Sequence, residues 1–165
     1  MDRPSSFEDQ LASLLPRLRR FAHALSRDSA DADDLTQATI ERALRSKAQW
    51  QAGTRLDSWA YRIMRNLWID TARARGRRGA HEAPEEEGLR VGEDPREAID
   101  AAIDVHRIMA AMARLPDEQR EIVALILIEG FGYREVSEML GVPIGTVSSR
   151  LVRGRTALLA MVGEQ

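Results

Sequence analysis

Cysteine is absent from this 165-residue chain, which rules out a disulfide framework and any thiolate metal site. Its three histidines, His23, His81 and His106, stand far apart without ligand spacing, so no metal is expected. No apolar run approaches the roughly 18 residues that a membrane-spanning helix needs, and the opening MDRPSSFEDQ lacks the hydrophobic segment of a signal peptide. Neither membrane insertion nor secretion is expected, and a cytoplasmic location is. A Gly-rich phosphate loop and a nucleophile elbow are missing as well; no catalytic residue or cofactor is assigned, and an enzyme is the weakest reading. What remains is an ordinary globular composition, 44% hydrophobic, with room for one domain or two small ones. The net charge of −2 would by itself argue against a polyanionic partner, but charge of one sign is concentrated in particular stretches.

The most basic of these is residues 54–78, TRLDSWAYRIMRNLWIDTARARGRR. Seven arginines, Arg55, Arg62, Arg65, Arg73, Arg75, Arg77 and Arg78, face two acids, Asp57 and Asp70, with Trp59, Tyr61 and Trp68 threaded between them. Leu56, Trp59, Ala60, Ile63, Leu67 and Trp68 recur at three- and four-residue steps, which predicts a helix with one packed stripe and an electropositive opposite side. Trp59 and Trp68 fall on the stripe and read as core. Cations along and beyond such a helix neutralise phosphates, and the run Arg73, Arg75, Arg77, Arg78, with no acid among them, reads as phosphate-contacting.

Before it, residues 7–26 place Leu11, Leu14, Leu15, Leu18, Phe21, Ala22 and Leu25 at helical spacing, interrupted by Pro16, which is expected to kink or divide the helix. Residues 27–46 form a second helix with Asp31, Asp33 and Asp34 near its positive end. Its polar side, with Asp33, Asp34, Gln37 and Glu41, is either solvated surface or a partner-binding face. Lys47 to Gly53 reads as a loop whose Trp50 is either an anchor or an exposed aromatic.

After Arg78 the stretch GAHEAPEEEGLRVGEDP lacks periodicity and reads as a flexible acidic linker, which divides the chain into two domains. Asp94-Pro95-Arg96-Glu97 then has the form of a helix start, with Ile99, Ile103, Ile108, Met109 and Met112 on the apolar side. The run IVALILI (122–128), apolar nearly all round, is expected at the centre of the second core. Residues 133–158 have the layout of a helix-turn-helix: Val136, Met139 and Leu140 inward, a turn at Gly141, then Val147, Leu151 and Leu158 inward on a second helix. That second helix carries Thr146, Ser148, Ser149, Arg150, Arg153 and Arg155 and no acid, which favours DNA over an ordinary helical hairpin.

Taken together, DADDLTQATIERAL, SWAYRIMRNLWID with its arginine run, LPDEQREIVAL and YREVSEMLGVPIGTVSSRLVRGRTAL resemble, in this order and spacing, the extracytoplasmic-function (ECF) group of alternative sigma factors, the promoter-recognition subunits of bacterial RNA polymerase. The resemblance covers nearly the whole chain. It implies an all-α fold of two small helical domains, 1–78 and 95–165, joined by a flexible acidic linker over 79–94. It also implies that Asp33, Asp34, Gln37 and Glu41 bind the clamp coiled coil of the polymerase β′ subunit. The −10 element would be melted and read by Trp50, Arg55, Arg62, Arg65, Asn66, Arg73, Arg75, Arg77 and Arg78. Thr146, Ser148, Ser149, Arg150, Arg153 and Arg155 would read the −35 element. Core RNA polymerase (β′ clamp and β flap), promoter DNA and an anti-sigma factor are the implied partners. Gly132 stands where many relatives have a Ser or Thr helix cap, and Trp50 where phenylalanine is frequent. Two rival readings use parts of the same residues: an autonomous helix-turn-helix regulator, which leaves the first 78 residues without a purpose, and a sigma mimic that sequesters an anti-sigma factor, which has no need of a basic recognition helix.

Overall fold

The computed structural model describes residues 5–78 and 97–163, with side chains over 5–75 and 103–163. The acidic stretch 79–94 and the expected cap at Asp94 to Arg96 lie outside the described residues. Within them the chain is all-α: α1 (Phe7–Leu25), α2 (Ser29–Arg45), α3 (Leu56–Arg78), α4 (Glu97–Arg114), α5 (Asp117–Val123), α6 (Tyr133–Leu140) and α7 (Ile144–Gly163). A 3₁₀ turn at Lys47–Gln49 follows α2, and α5 widens into a π-helical turn at Ala124–Ile128.

Local chemistry accounts for most boundaries. Ser6 and Asp9 close a reciprocal capping box at the head of α1, side chain to backbone N–H in each direction, at 3.1 and 3.2 Å. Asp28 caps α2 through the Ala30 N–H at 2.9 Å. Pro16 neither divides nor ends α1, which runs unbroken past it. Both Pro16 and Ala12, whose carbonyl loses its partner, lie on the exposed side, where water can replace the missing bond. Gly141 ends α6 at φ +66°, the left-handed conformation that a side chain would strain, and the Ser137 hydroxyl donates to the Val142 carbonyl at 2.6 Å to fix the turn.

The two helical domains are packed against each other. A single buried cluster runs from Leu18, Phe21, Leu25, Tyr61 and Met64 of the first domain to Met112, Leu115, Ile122, Leu125 and Phe131 of the second. A smaller one, Phe7, Leu11, Ala43 and Leu56 with Trp50, Trp59 and Ile63 against it, closes the far end of the first domain.

This docking corrects three sequence expectations. Leu56 and Ala60 of the α3 stripe are buried as expected, but Trp59, Ile63, Leu67 and Trp68 are only half-buried, while Tyr61 and Met64 are fully enclosed. Helix α3 has to satisfy α1 and α2 on one side and the second domain on another, so no single stripe describes it. In IVALILI only Ile122 to Leu125 are buried, and Leu127 turns outward. On α4, Met112 is buried and Met109 half-buried, whereas Ile103 and Ile108 are exposed; the side chain of Ile99 lies outside the described residues.

Candidate nucleic-acid interface

Helix α2 separates its two sides cleanly. Ala32, Leu35, Thr36, Thr39 and Ala43 are buried, and the two threonine hydroxyls are satisfied by donating to the Ala32 and Leu35 carbonyls at 2.8 and 2.7 Å. Asp33, Asp34, Gln37 and Glu41 are all exposed. Three- and four-residue steps carry this strip on to Leu44, 46% exposed, so an acidic face ends in an apolar residue. Asp33 also lies 3.6 Å from Arg19 and 3.7 Å from His23 of α1.

The arginines of α3, and Arg55 just before it, do not share one environment. Arg62 and Asn66 are exposed. Arg55 grips Asp57 through Nε and Nη2 at 3.1 and 2.8 Å, and its Nη1 donates to Glu135 of α6. Arg65 donates to Glu121 of α5, Nε at 2.9 Å and Nη2 at 3.4 Å. Arg75, read as phosphate-contacting because the run holds no acid, makes a two-pronged contact with Asp31 of α2, which sequence distance hid. Arg73 borders a cavity of about 350 Å³ between α3 and α5, lined also by Trp68, Ile69 and Glu121. Arg77 and Arg78 continue the helix, and their side chains lie outside the described residues.

Trp50 proves to be an anchor. Its ring packs on Phe7 at 5.5 Å, Trp59 meets the same ring edge-on at 6.0 Å, and the Trp50 Nε1 is buried without a hydrogen-bond partner among the described residues. Beside it, α2, the 3₁₀ turn and α3 enclose a second cavity of about 150 Å³. Asn66 is on its wall. Arg42, Ser46, Gln49 and Asp70 are polar wall residues that the sequence reading did not assign, and Trp59 and Ile63 supply the apolar part. On α3 alone Asp70 is one of two acids among the arginines, and only the approach of α2 brings the five polar groups together.

In the second domain, α6, the Gly141 turn and α7 form the expected helix-turn-helix. Val147, Leu151 and Gly154 are buried on the inner side of α7. Ser148, Arg153 and Arg155 are exposed, and Thr146, Ser149 and Arg150 half-buried. By helical position Thr146, Ser149, Arg150 and Arg153 form one strip, with Ser148 and Arg155 on the other flank of the apolar stripe. The Ser149 hydroxyl donates to the Thr146 carbonyl at 3.1 Å, and Arg150 lies 3.4 Å from Glu118 of α5. Gly132 leaves α6 half-capped: its own N–H donates to the Glu135 carboxylate at 3.2 Å, but no side chain returns the bond.

The contacts least foreseen from the sequence join the two domains. Glu129, whose side chain is 0% exposed, accepts from Nε and Nη2 of Arg20, each at 2.9 Å, and from the Tyr61 hydroxyl at 2.5 Å. Arg17 lies 3.6 Å from the same carboxylate and 3.4 Å from Asp57, with its guanidinium 5.6 Å from the Tyr61 ring centre and 5.8 Å from that of Phe131. Burial, then the bond to Glu129, holds the Tyr61 phenol firmly protonated. Burial pushes the Glu121 carboxyl up against the opposing pull of Arg65. Burial would also raise Asp57, but the Arg55 hydrogen bond, the Ser58 N–H and the charges of Arg55 and Arg17 outweigh it and hold that carboxyl below its ordinary value.

Comparison with known proteins matches this architecture at both ends. Residues 11–78 match the Sigma-70 region 2 family, and residues 106–158 the Sigma-70, region 4 family. The ECF RNA polymerase sigma factor EcfG of Rhodopseudomonas palustris is 34% identical over 95% of this chain and 85% of its own length. The chain belongs to the ECF sigma factors. The ECF sigma factor SigE of Mycolicibacterium smegmatis is 40% identical over 93% of the chain, which spans 60% of SigE's length. Among solved structures, the sigma factor RpoE of Bartonella quintana, in complex with the anti-sigma factor NepR, superimposes with a TM-score of 0.82 at 30% identity, over 95% of this chain and 96% of RpoE. CnrH, solved with the cytosolic domain of CnrY, shares the fold at a TM-score of 0.63 and 21% identity. Among the described residues, no helix of this ECF sigma factor is long and apolar enough to cross a membrane.

Proposed function

We propose that this sigma factor works in the cytoplasm, binding core RNA polymerase and directing it to promoters by opening a −10 element with the first domain and reading a −35 element with the second. The observation that carries the reading is the pairing, in one chain, of the α2–α3 cavity with an acid-free recognition helix. The cavity wall offers Arg42, Ser46, Gln49, Asn66 and Asp70 as donors and acceptors, and Trp59 and Ile63 as an apolar surface. That chemistry suits a single base turned out of the stack, whose unpaired edge needs hydrogen bonds and whose ring needs an apolar wall. Arg62 and the arginines near the end of α3 then hold the strand's phosphates, while Trp50 supports the cavity from behind instead of stacking on DNA. On α7, Thr146, Ser149, Arg150 and Arg153 face the major groove, and Ser148 and Arg155 reach the flanking backbone.

The exposed strip Asp33, Asp34, Gln37, Glu41 serves as the face for the β′ clamp, with the β flap taken by the second domain. The bond-making chemistry belongs to the polymerase. Likeness to RpoE in its NepR complex, over both domains at once, supports an anti-sigma factor as a further partner. The domain limits 1–78 and 95–165, with 79–94 as connector, are part of the same reading.

Run-off transcription with purified core polymerase on a promoter library tests it. Wild type should initiate specifically and only with core enzyme. Asp34→Ala should weaken core binding, and Arg150→Ala or Asn66→Ala should lower initiation at least tenfold while core binding persists, a loss of about 1.4 kcal/mol or more. Core binding without initiation anywhere would favour a mimic, and tight DNA binding by a dimer without core an autonomous regulator.

A further inference from the structure

Among the described residues, the ion pairs between the two domains all run one way. Arg17, Arg20, Arg55 and Arg65 come from the first domain, and Glu121, Glu129 and Glu135 from the second. Arg20 with Glu129, and Arg65 with Glu121, each use two guanidinium nitrogens on a carboxylate, the fork geometry an arginine also offers a phosphate. From this we propose that Glu121, Glu129 and Glu135 form an intramolecular latch: their carboxylates occupy arginines that the first domain otherwise turns to nucleic-acid phosphates, so that the free chain closes on itself and a single strand competes it open.

The latch has a centre and a rim. Glu129 is the centre. A fully enclosed carboxylate is tolerated only while its partners are in place, since its desolvation cost is met by close, hydrogen-bonded opposite charge. Arg20, Arg17 and the Tyr61 hydroxyl are those partners, and all come from the other domain. Partial separation would leave Glu129 dry and unpaired, so the contact opens as a unit and not by degrees. The turn that presents it is built in: Gly130 takes φ +76°, and Phe131 beyond it packs against Tyr61 at 5.1 Å. Arg55 with Glu135 is the rim, and Arg65 with the nearly enclosed Glu121 is a second inner pair. Arg55 and Arg20 stay about half exposed within their pairs, 54% and 53%, so an incoming phosphate can reach them before the pair has broken. Glu135 also accepts the N–H of Gly132 at the head of α6, so the same carboxylate supports the helix-turn-helix while it holds Arg55.

The competition part of this proposal rests on the reading of Arg55 and Arg65 as −10 contacts; the closure itself does not. The lack of cysteine gives a clean test on the full chain. Ala12→Cys and Glu138→Cys, one exposed position in each domain, take a donor and an acceptor dye, and energy transfer reports closure. Wild type without any partner should show high transfer that falls on titration with a single-stranded oligonucleotide. Glu129→Gln should fall at an oligonucleotide concentration at least tenfold lower. Arg65→Glu should lower transfer, and adding Glu121→Arg should restore it, a rescue that a misfolded variant would not give. Equal midpoints for wild type and Glu129→Gln, or no rescue by the swapped pair, would overturn the latch. Run-off transcription on the unlabelled chain separates the two readings: latch behaviour without initiation would sink the sigma reading alone, and initiation with unchanged transfer the latch alone.

Discussion

Arg120 is the side chain whose position owes most to the fold and least to its own character. It is 1% exposed, and its nitrogens donate to the carbonyls of Met112, Ala113 and Leu115 at the end of α4, to Leu25 at the end of α1, and to Asp117. Burial lowers its pKa, with the Asp117 charge opposing. An arginine stays charged under such pressure, so what holds it is the set of acceptors. It stitches two helix C-termini together, satisfying carbonyls that helix ends leave without partners. Arg120→Met should therefore destabilise by about 3 kcal/mol or more, read as a lower urea midpoint, because several buried acceptors lose their donor at once. A loss below about 1 kcal/mol would mean that water replaces the guanidinium. In LPDEQREIVAL this residue is one charge among four, and the general avoidance of buried arginine argues for solvent. Glu129 was hidden in the same way: an acid after an apolar run reads as the end of a helix, and only the docked domain makes it a buried partner.

At the scale of elements, α7 was legible and α3 was not. Helix α7 packs within its own domain, so Val147 and Leu151 obey one period and the Gly141 turn marks its start. Helix α3 serves two neighbours, and its residues carry the sum of two stripes, which is why Tyr61 and Met64 escaped notice. The interface cavity was half legible: Asn66 stands on the same helix as the arginines, but Arg42, Ser46 and Gln49 arrive from α2 and the turn after it. A further constraint on α7 appears only in three dimensions. A Cβ built on Gly154 would lie 2.8 Å from Cγ2 of Val123 and 3.3 Å from Cβ of Gln119, so the glycine sets how closely α5 and α7 approach. Gly154→Ala should cost about 1–2 kcal/mol of stability, overpacking outweighing the roughly 1 kcal/mol that alanine contributes to a helix. Thermal unfolding checks it; a raised midpoint would show that Val123, itself 1% exposed, can move aside.

For the molecule as a whole, the linker composition announced two domains, yet nothing in the sequence announced that they dock, because contacts between distant segments leave no period to read. Since one buried cluster spans both domains, neither can unfold in the docked state without uncovering the other. Wild type should thus lose helical signal and tryptophan fluorescence in one coincident urea transition, whereas Glu129→Gln should split it in two; two transitions in wild type would show that the shared core contributes little. The placement of the latch carries a further consequence. Its three acids lie on α5, at Glu129 and on α6, and none on the strip of α7 formed by Thr146, Ser149, Arg150 and Arg153. Substitutions of those acids can therefore retune how readily the protein is released while every arginine it offers to DNA stays in place, so that threshold and address diverge independently among descendants of one ancestral chain.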